Sequence, residues 1–205
     1  MNFIVAVALL LVEPEDSFWL LVAMTECYLH DYYDMSLLGA QVDQYVLKDL
    51  LKEKAPDIYE HFERNEVEMT SLTFNWFMAV FIDSVPFESL LRIWDCFLLE
   101  GAKVLFRFAL AILILNRESI LHRTDTISII RHIKDSTKSL IDIERLFHIA
   151  FEELKPFCHR KDIASRQAYW RKILRDKYIQ RRASKEEFLQ RDLAVRHLLL
   201  GTPAR

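Results

Sequence analysis

Residues 71–115 read SLTFNWFMAVFIDSVPFESLLRIWDCFLLEGAKVLFRFALAILIL, and the spacing of their apolar side chains decides the fold. Phe74, Trp76, Phe77, Val80 and Phe81 form one wide apolar stripe. Pro86 suits a helix start, where its missing N–H costs nothing, and Leu90, Ile93, Trp94, Phe97 and Leu98 then recur at spacings of three and four. Gly101 stands where a helix would end. From Val104 to Leu115 the chain is almost wholly apolar, interrupted by Arg107; this is well short of the roughly 20 residues that cross a bilayer and fits a central core helix. Three helices joined by short turns follow.

The pattern continues on both sides. Upstream, Phe3 to Val12 is an unbroken apolar run that reads as a buried core helix. Glu13-Pro14-Glu15-Asp16 suits the positive end of a helix dipole and predicts a helix from about Glu15 to Tyr28, which its Phe18, Trp19, Leu21, Val22 and Met24 mark as interior. Ser36 introduces an amphipathic surface helix carrying Leu38, Val42, Tyr45, Val46 and Leu50 on one side, with Gln41, Asp43, Gln44, Lys48 and Asp49 largely elsewhere. Pro56 opens a short helix with Ile58, Tyr59 and Phe62. Downstream, helical patterns cover Thr126 to Ile133, Ile143 to Leu154 and, after Pro156, a long stretch from about Asp162 to Leu200. Only three glycines and five prolines occur in 205 residues, too few turn formers for a hairpin-rich sheet, so the expected class is all-α.

Charge divides the chain. Residues 1–116 carry 7 Lys and Arg against 18 Asp and Glu, net −11, and residues 117–205 carry 20 against 12, net +8. Asp162, Asp176, Glu186, Glu187 and Asp192 interrupt the basic half, which favours a solvated helix face partly neutralising the acidic half over a nucleic-acid or lipid surface. Cys27, Cys96 and Cys158, odd in number and set among apolar residues, read as reduced thiols filling a core in a cytosolic protein. The opening run has no Lys or Arg before it and acidic residues after it, unlike an export signal, and is too short for an anchor. There is no phosphate-binding glycine loop, GxSxG elbow or HExxH helix, and the seven histidines are scattered. Cys158-His159 supplies too few ligands for zinc.

Trp76-Phe77, Phe81, Pro86, the string Arg92-Ile93-Trp94-Asp95 and Gly101, in this order and at this spacing, closely resemble the second half of a TBC domain. The resemblance extends back through Phe18-Trp19 to Met1-Asn2, which look like the end of a Tyr-x-Gln-Gly-Met-Asn motif. It implies an all-α, multi-helix orthogonal array of the TBC type, N-terminally truncated, over residues 1–158, followed by a basic helical extension over 159–205. It also implies a GTPase activator for Rab-type small GTPases in vesicle trafficking, itself not an enzyme. The partner would be a Rab, with GTP and magnesium belonging to that partner, no cofactor or metal of this chain's own, and no nucleic acid. The expected location is cytoplasmic, extending to the periphery of endomembranes. A non-catalytic TBC-like scaffold is the alternative.

TBC activators supply an arginine finger from Ile-x-x-Asp-x-x-Arg and a glutamine finger from Tyr-x-Gln; the first neutralises charge growing on the transferring phosphoryl group and the second orients water. This chain contains no Ile-x-x-Asp-x-x-Arg. Its nearest string, Leu189 to Arg196, begins with the wrong residue and is one position too long. Tyr178-Ile179-Gln180 is followed by Arg181-Arg182 instead of Gly-Met and lies about 175 residues after where the family places the motif. The resemblance therefore puts both finger motifs before Met1 and predicts weak or absent catalysis by this polypeptide alone. From the residues themselves, Trp76, Phe77, Trp94 and Phe97 read as core, and Arg92 and Asp95, three apart on a helix, as an ion pair.

Overall fold

The computed structural model describes the backbone of residues 1–200 and, in the last helix, side chains as far as Arg181 and at Ser184. Eleven α-helices and no strand occur among these residues: α1 (Asn2–Leu11), α2 (Pro14–Val22), α3 (Leu38–Lys54), α4 (Pro56–Arg64), α5 (Met69–Met78), α6 (Phe87–Glu100), α7 (Lys103–Leu115), α8 (Arg117–Leu121), α9 (Thr126–Lys138), α10 (Ile143–His148) and α11 (Arg160–Leu200). Residues 201–205 of the basic extension, and the side chains of the Leu189 to Arg196 string, lie outside the described residues. The helices α2 and α10 each widen into a π-helical turn, Ala23–Tyr28 and Ile149–Glu153.

The core is built around α7. Every residue from Val104 to Leu113 is buried, because α3, α5, α6 and α10 all pack on it. Each fully buried Leu, Ile or Phe contributes about 1.5–3 kcal/mol relative to an exposed one, so this helix supplies much of the hydrophobic stabilisation. Arg107 is carried into the same interior. Its guanidinium lies over the rings of Phe151 and Phe157, 4.5 and 5.0 Å from their centroids, and 3.6 Å from a Glu100 carboxylate oxygen, so its charge is partly compensated without water. Phe106 meets Phe77 edge-on at 5.1 Å, and Phe108 contacts both Phe147 and Phe151.

Helix α3 corrects the expectation of a surface helix. It is enclosed by α4, α5, α7 and α11, and nine of its residues are buried, Asp43 and Gln44 among them. Helix α11 supplies the cover on the side that reads as polar. Arg166 pairs with Glu53 at 2.6 Å, the Trp170 indole N–H donates to Asp49 at 2.6 Å, and Gln167 donates to Asp43 at 2.6 Å. Trp170 also stacks on Tyr45 at 4.6 Å. The basic half thus lies against the acidic half through these specific pairs.

Two further expectations fail at the N-terminus. On α1 only Ile4 and Ala8 are buried, and Phe3 and Leu10 are 70% and 75% exposed; the run is helical but mostly uncovered. On α2 Phe18 and Trp19 are 58% and 59% exposed, packed edge-on against each other at 5.2 Å. An almost wholly apolar helix reads as interior, yet only one of its faces meets the body. The cysteine reading is also modified: Cys27 is exposed, and Cys96 and Cys158 are half-buried.

Candidate functional site

The residues singled out by sequence fall into two groups. The first locks α5, α6 and α7 together. Trp76 and Phe77 are buried on α5, Ile93 and Trp94 on α6. The chain reverses after α5 through Val80 and Phe81, both with positive φ, and the Trp94 indole N–H donates to the Val80 carbonyl at 3.0 Å, fixing that turn from the next helix. Pro86 stands at the start of α6 with φ −57°, preset for helix entry. Gly101 closes α6: its N–H donates to the Phe97 carbonyl at 2.7 Å and its φ of +74° is one that side chains disfavour. The Tyr28 ring crosses this joint, edge-on to Phe97 at 5.4 Å, and its hydroxyl donates to the Leu98 carbonyl at 3.3 Å.

Arg92 and Asp95 are exposed on α6 and do not pair with each other, contrary to their three-residue spacing. Arg92 reaches Glu144 of α10 at 3.1 Å and lies 5.2 Å over the Phe147 ring; an acid and an aromatic from one neighbouring helix outcompete the local carboxylate. Among the described residues Asp95 has no ion-pair partner.

The second group is at the N-terminus. The Met1 carbonyl accepts from Ile4 and Val5 and so opens α1; Met1 and Asn2 are exposed. Met1 stands at the rim of an open cleft of about 670 Å³ whose walls are α2, its π-helical turn and the chain from Leu29 to Asp34. The widened turn carries Thr25 and Glu26 to this cleft, and the loop adds His30, Asp31 and Asp34. Among the described residues neither an arginine nor a glutamine lines it; the cleft offers carboxylates, the Thr25 hydroxyl and the His30 imidazole, and no guanidinium or carboxamide. Tyr178 and Gln180 are exposed on α11, and Tyr178 lines a different groove from the cleft at Met1.

The cleft is braced from behind by a buried polar cluster that sequence reading did not single out. Tyr32 donates its hydroxyl to Asp43, which also accepts from Gln167, while Arg171 pairs with the neighbouring Asp31 at 2.7 Å. Burial raises the Asp43 carboxyl to about 6, although the hydrogen bonds from Tyr32 and Gln167 and the charge of Arg171 oppose the rise. Burial, then the Asp43 charge, pushes the Tyr32 phenol well above its ordinary value. The Tyr33 hydroxyl donates to the Met78 carbonyl at 2.8 Å, and its burial raises the phenol to about 12. An aspartate within an apolar helix was the available signal, but its partners lie 11 and 124 residues away.

The family model for the Rab-GTPase-TBC domain matches residues 1–121, more than half of the sequence. This chain belongs to the TBC family. TBC1 domain family member 2B of Homo sapiens is 45% identical over 191 residues, covering 93% of this chain and 20% of that protein. TBC1 domain family member 2A of Mus musculus is 42% identical over 195 residues, covering 90% and 21%. The chain thus spans about a fifth of the length of these relatives. The crystal structure of the Chlamydomonas flagellar RabGAP TBC domain is similar with a TM-score of 0.66 and 29% identity, over 75% of this chain and 52% of that one. The aromatic joint of α5, α6 and α7 therefore belongs to a TBC fold, and the residues that resemble the TBC motif form most of that joint.

Proposed function

We propose that this polypeptide is part of a Rab-directed GTPase activator, offering a TBC surface to a GTP-loaded Rab while contributing neither finger itself. Membership of the TBC family supports the Rab partner. The sequence supports the second half of the reading: across 205 residues there is no Ile-x-x-Asp-x-x-Arg, and the lone Tyr-x-Gln lies on α11. GTP and magnesium belong to the Rab in this scheme, and the activator of which this chain is part regulates another protein's hydrolysis without being an enzyme. Residues 1–158 are the TBC portion and residues 159–205 a basic extension. The place of action in this reading is the cytoplasm, extending to the periphery of endomembranes; among the described residues no helix is long and apolar enough to cross a membrane.

Chemically, the cleft beside Met1 lacks a cation for the phosphoryl oxygens and an amide for the attacking water. An arginine finger alone is worth about 10³–10⁵ in rate, so Rab bound here would hydrolyse GTP at its intrinsic pace. The test pairs two measurements across a Rab panel: binding to the GTP-analogue form against the GDP form, and single-turnover hydrolysis. Selective binding with unchanged hydrolysis is expected. Robust acceleration would overturn the finger-less reading, and no binding to any Rab would overturn the Rab surface. The absent finger motifs equally favour a non-catalytic scaffold, for which binding would be indifferent to the nucleotide.

A further inference from the structure

Helix α11 runs antiparallel to α3, and its cations change role along the way. Near its start they are committed to the body: Arg160 donates to the Glu100 carbonyl at 2.6 Å, Arg166 pairs with Glu53 and Arg171 with Asp31. Past Arg171 these contacts end, and a groove of about 310 Å³ opens between α11 and the first turns of α3. Leu38, Tyr45 and Leu174 form its floor, and Arg175, Lys177 and Arg181 its rim. Among the described residues no carboxylate lines it and none of the three rim cations is ion-paired. Tyr178 and Ile179, both more than half exposed, add apolar surface to the α11 side of the groove.

We propose that this groove docks a short amphipathic helix of a partner protein, one that presents two or three large apolar side chains flanked by Asp and Glu. The commitment to an acidic occupant comes from charge: three cations with no ion-pair partner among the described residues attract carboxylates and repel basic segments, while the apolar floor makes the energy of contact. The commitment to a helix over a lipid surface comes from shape. The floor is recessed between two helices, where a side chain spaced at i, i+3 or i+4 reaches and a flat headgroup layer does not. The volume is at the low end for ligand sites, which suits a few side chains from one helix. This proposal does not rest on Rab binding, and the groove shares no lining residue with the cleft at Met1.

The probe is a fluorescein-labelled peptide of about four helical turns, with leucines at alternating spacings of three and four, glutamates flanking them and alanine elsewhere. Its binding to the full chain is read by anisotropy at low and high salt. Saturable binding is expected, weakened at least about tenfold by the combined Arg175→Glu, Lys177→Glu and Arg181→Glu variant and by high salt. The single variant Tyr178→Ser, with all three cations kept, is expected to weaken it without changing the salt dependence. Circular dichroism checks that both variants remain folded. No saturable binding overturns the proposal, as does equal binding of a scrambled peptide or of one with lysine in place of glutamate. Co-sedimentation with phosphatidylcholine and phosphatidylserine vesicles, lost in the triple variant while peptide binding is absent, would assign the face to lipid; a dimer lost in that variant would assign it to a second copy.

Discussion

Replacing Asp43 by asparagine tests whether the polar cluster between α3 and α11 is held at a cost in stability. Unfolded, the Asp43 carboxyl titrates near the ordinary 3.8; folded, it is raised to about 6 because burial disfavours the charge. Between these values the folded state holds more protons than the unfolded one, so this group's contribution falls as pH rises from about 4 to about 6 and is level above. A rise of about two units corresponds to about 3 kcal/mol. Asparagine keeps the shape: its carbonyl accepts from Gln167, and its amide donates to the Tyr32 oxygen. The Asp43→Asn variant is therefore expected to exceed the parent by about 1–3 kcal/mol at about pH 7.5, a gain that shrinks towards zero below about pH 4. Urea denaturation of both proteins across this range measures it. Taking the difference removes shared contributions, including His132, whose burial lowers its pKa and gives the opposite slope, and Glu53, which Arg166 lowers. A variant that is less stable by more than about 1 kcal/mol at every pH would refute the reasoning, since a pH-independent loss means the carboxylate's hydrogen bonds outweigh its desolvation.

Three further substitutions probe the joint of α5, α6 and α7 and the packing of α11 on α3. Trp94→Phe leaves the Val80 carbonyl without its indole donor and should cost about 1–2 kcal/mol in urea denaturation, with the m-value unchanged. At Gly101 an added Cβ meets nothing nearer than the Tyr28 ring at 3.5 Å, so the cost of Gly101→Ala is backbone strain at φ +74°; a loss of about 1–3 kcal/mol is expected, and an unchanged melting temperature would show that the turn relaxes. Trp170→Ala removes the stack on Tyr45 and the bond to Asp49; about 3 kcal/mol is expected to be lost, with amide exchange faster across residues 160–181 than in α7.

Where each side chain meets a neighbour close in sequence, the chain was legible. Periodicity placed α5, α6 and α7 with their turns, the scarcity of glycine and proline pointed to the all-helical class, and the resemblance through Arg92-Ile93-Trp94-Asp95 reached the right family. Burial was less legible. Helix α3 carries Asp43 and Gln44 on faces that an isolated helix would give to water; Thr73 of α5 covers Gln44, and only α11, more than a hundred residues later, covers Asp43. The same limit explains Arg92, whose three-residue neighbour Asp95 loses to Glu144 and Phe147 of α10. On α2 the error ran the other way: an apolar composition says that surface could be buried, whereas burial requires a partner, and Phe18 and Trp19 have none within the described residues.

The pairing of α11 with α3 also makes the molecule its own polyelectrolyte complex. Glu53 and Asp31 act as tethered counter-ions for Arg166 and Arg171 of the basic helix, present at a far higher local concentration than any carboxylate in solution. An external anion competing for Arg166 or Arg171 must first displace an internal one, so non-specific adhesion of this half is suppressed at low ionic strength, where polycations otherwise stick most. Neutralising those two carboxylates would turn a discriminating helix into an indiscriminate one without altering a single basic residue.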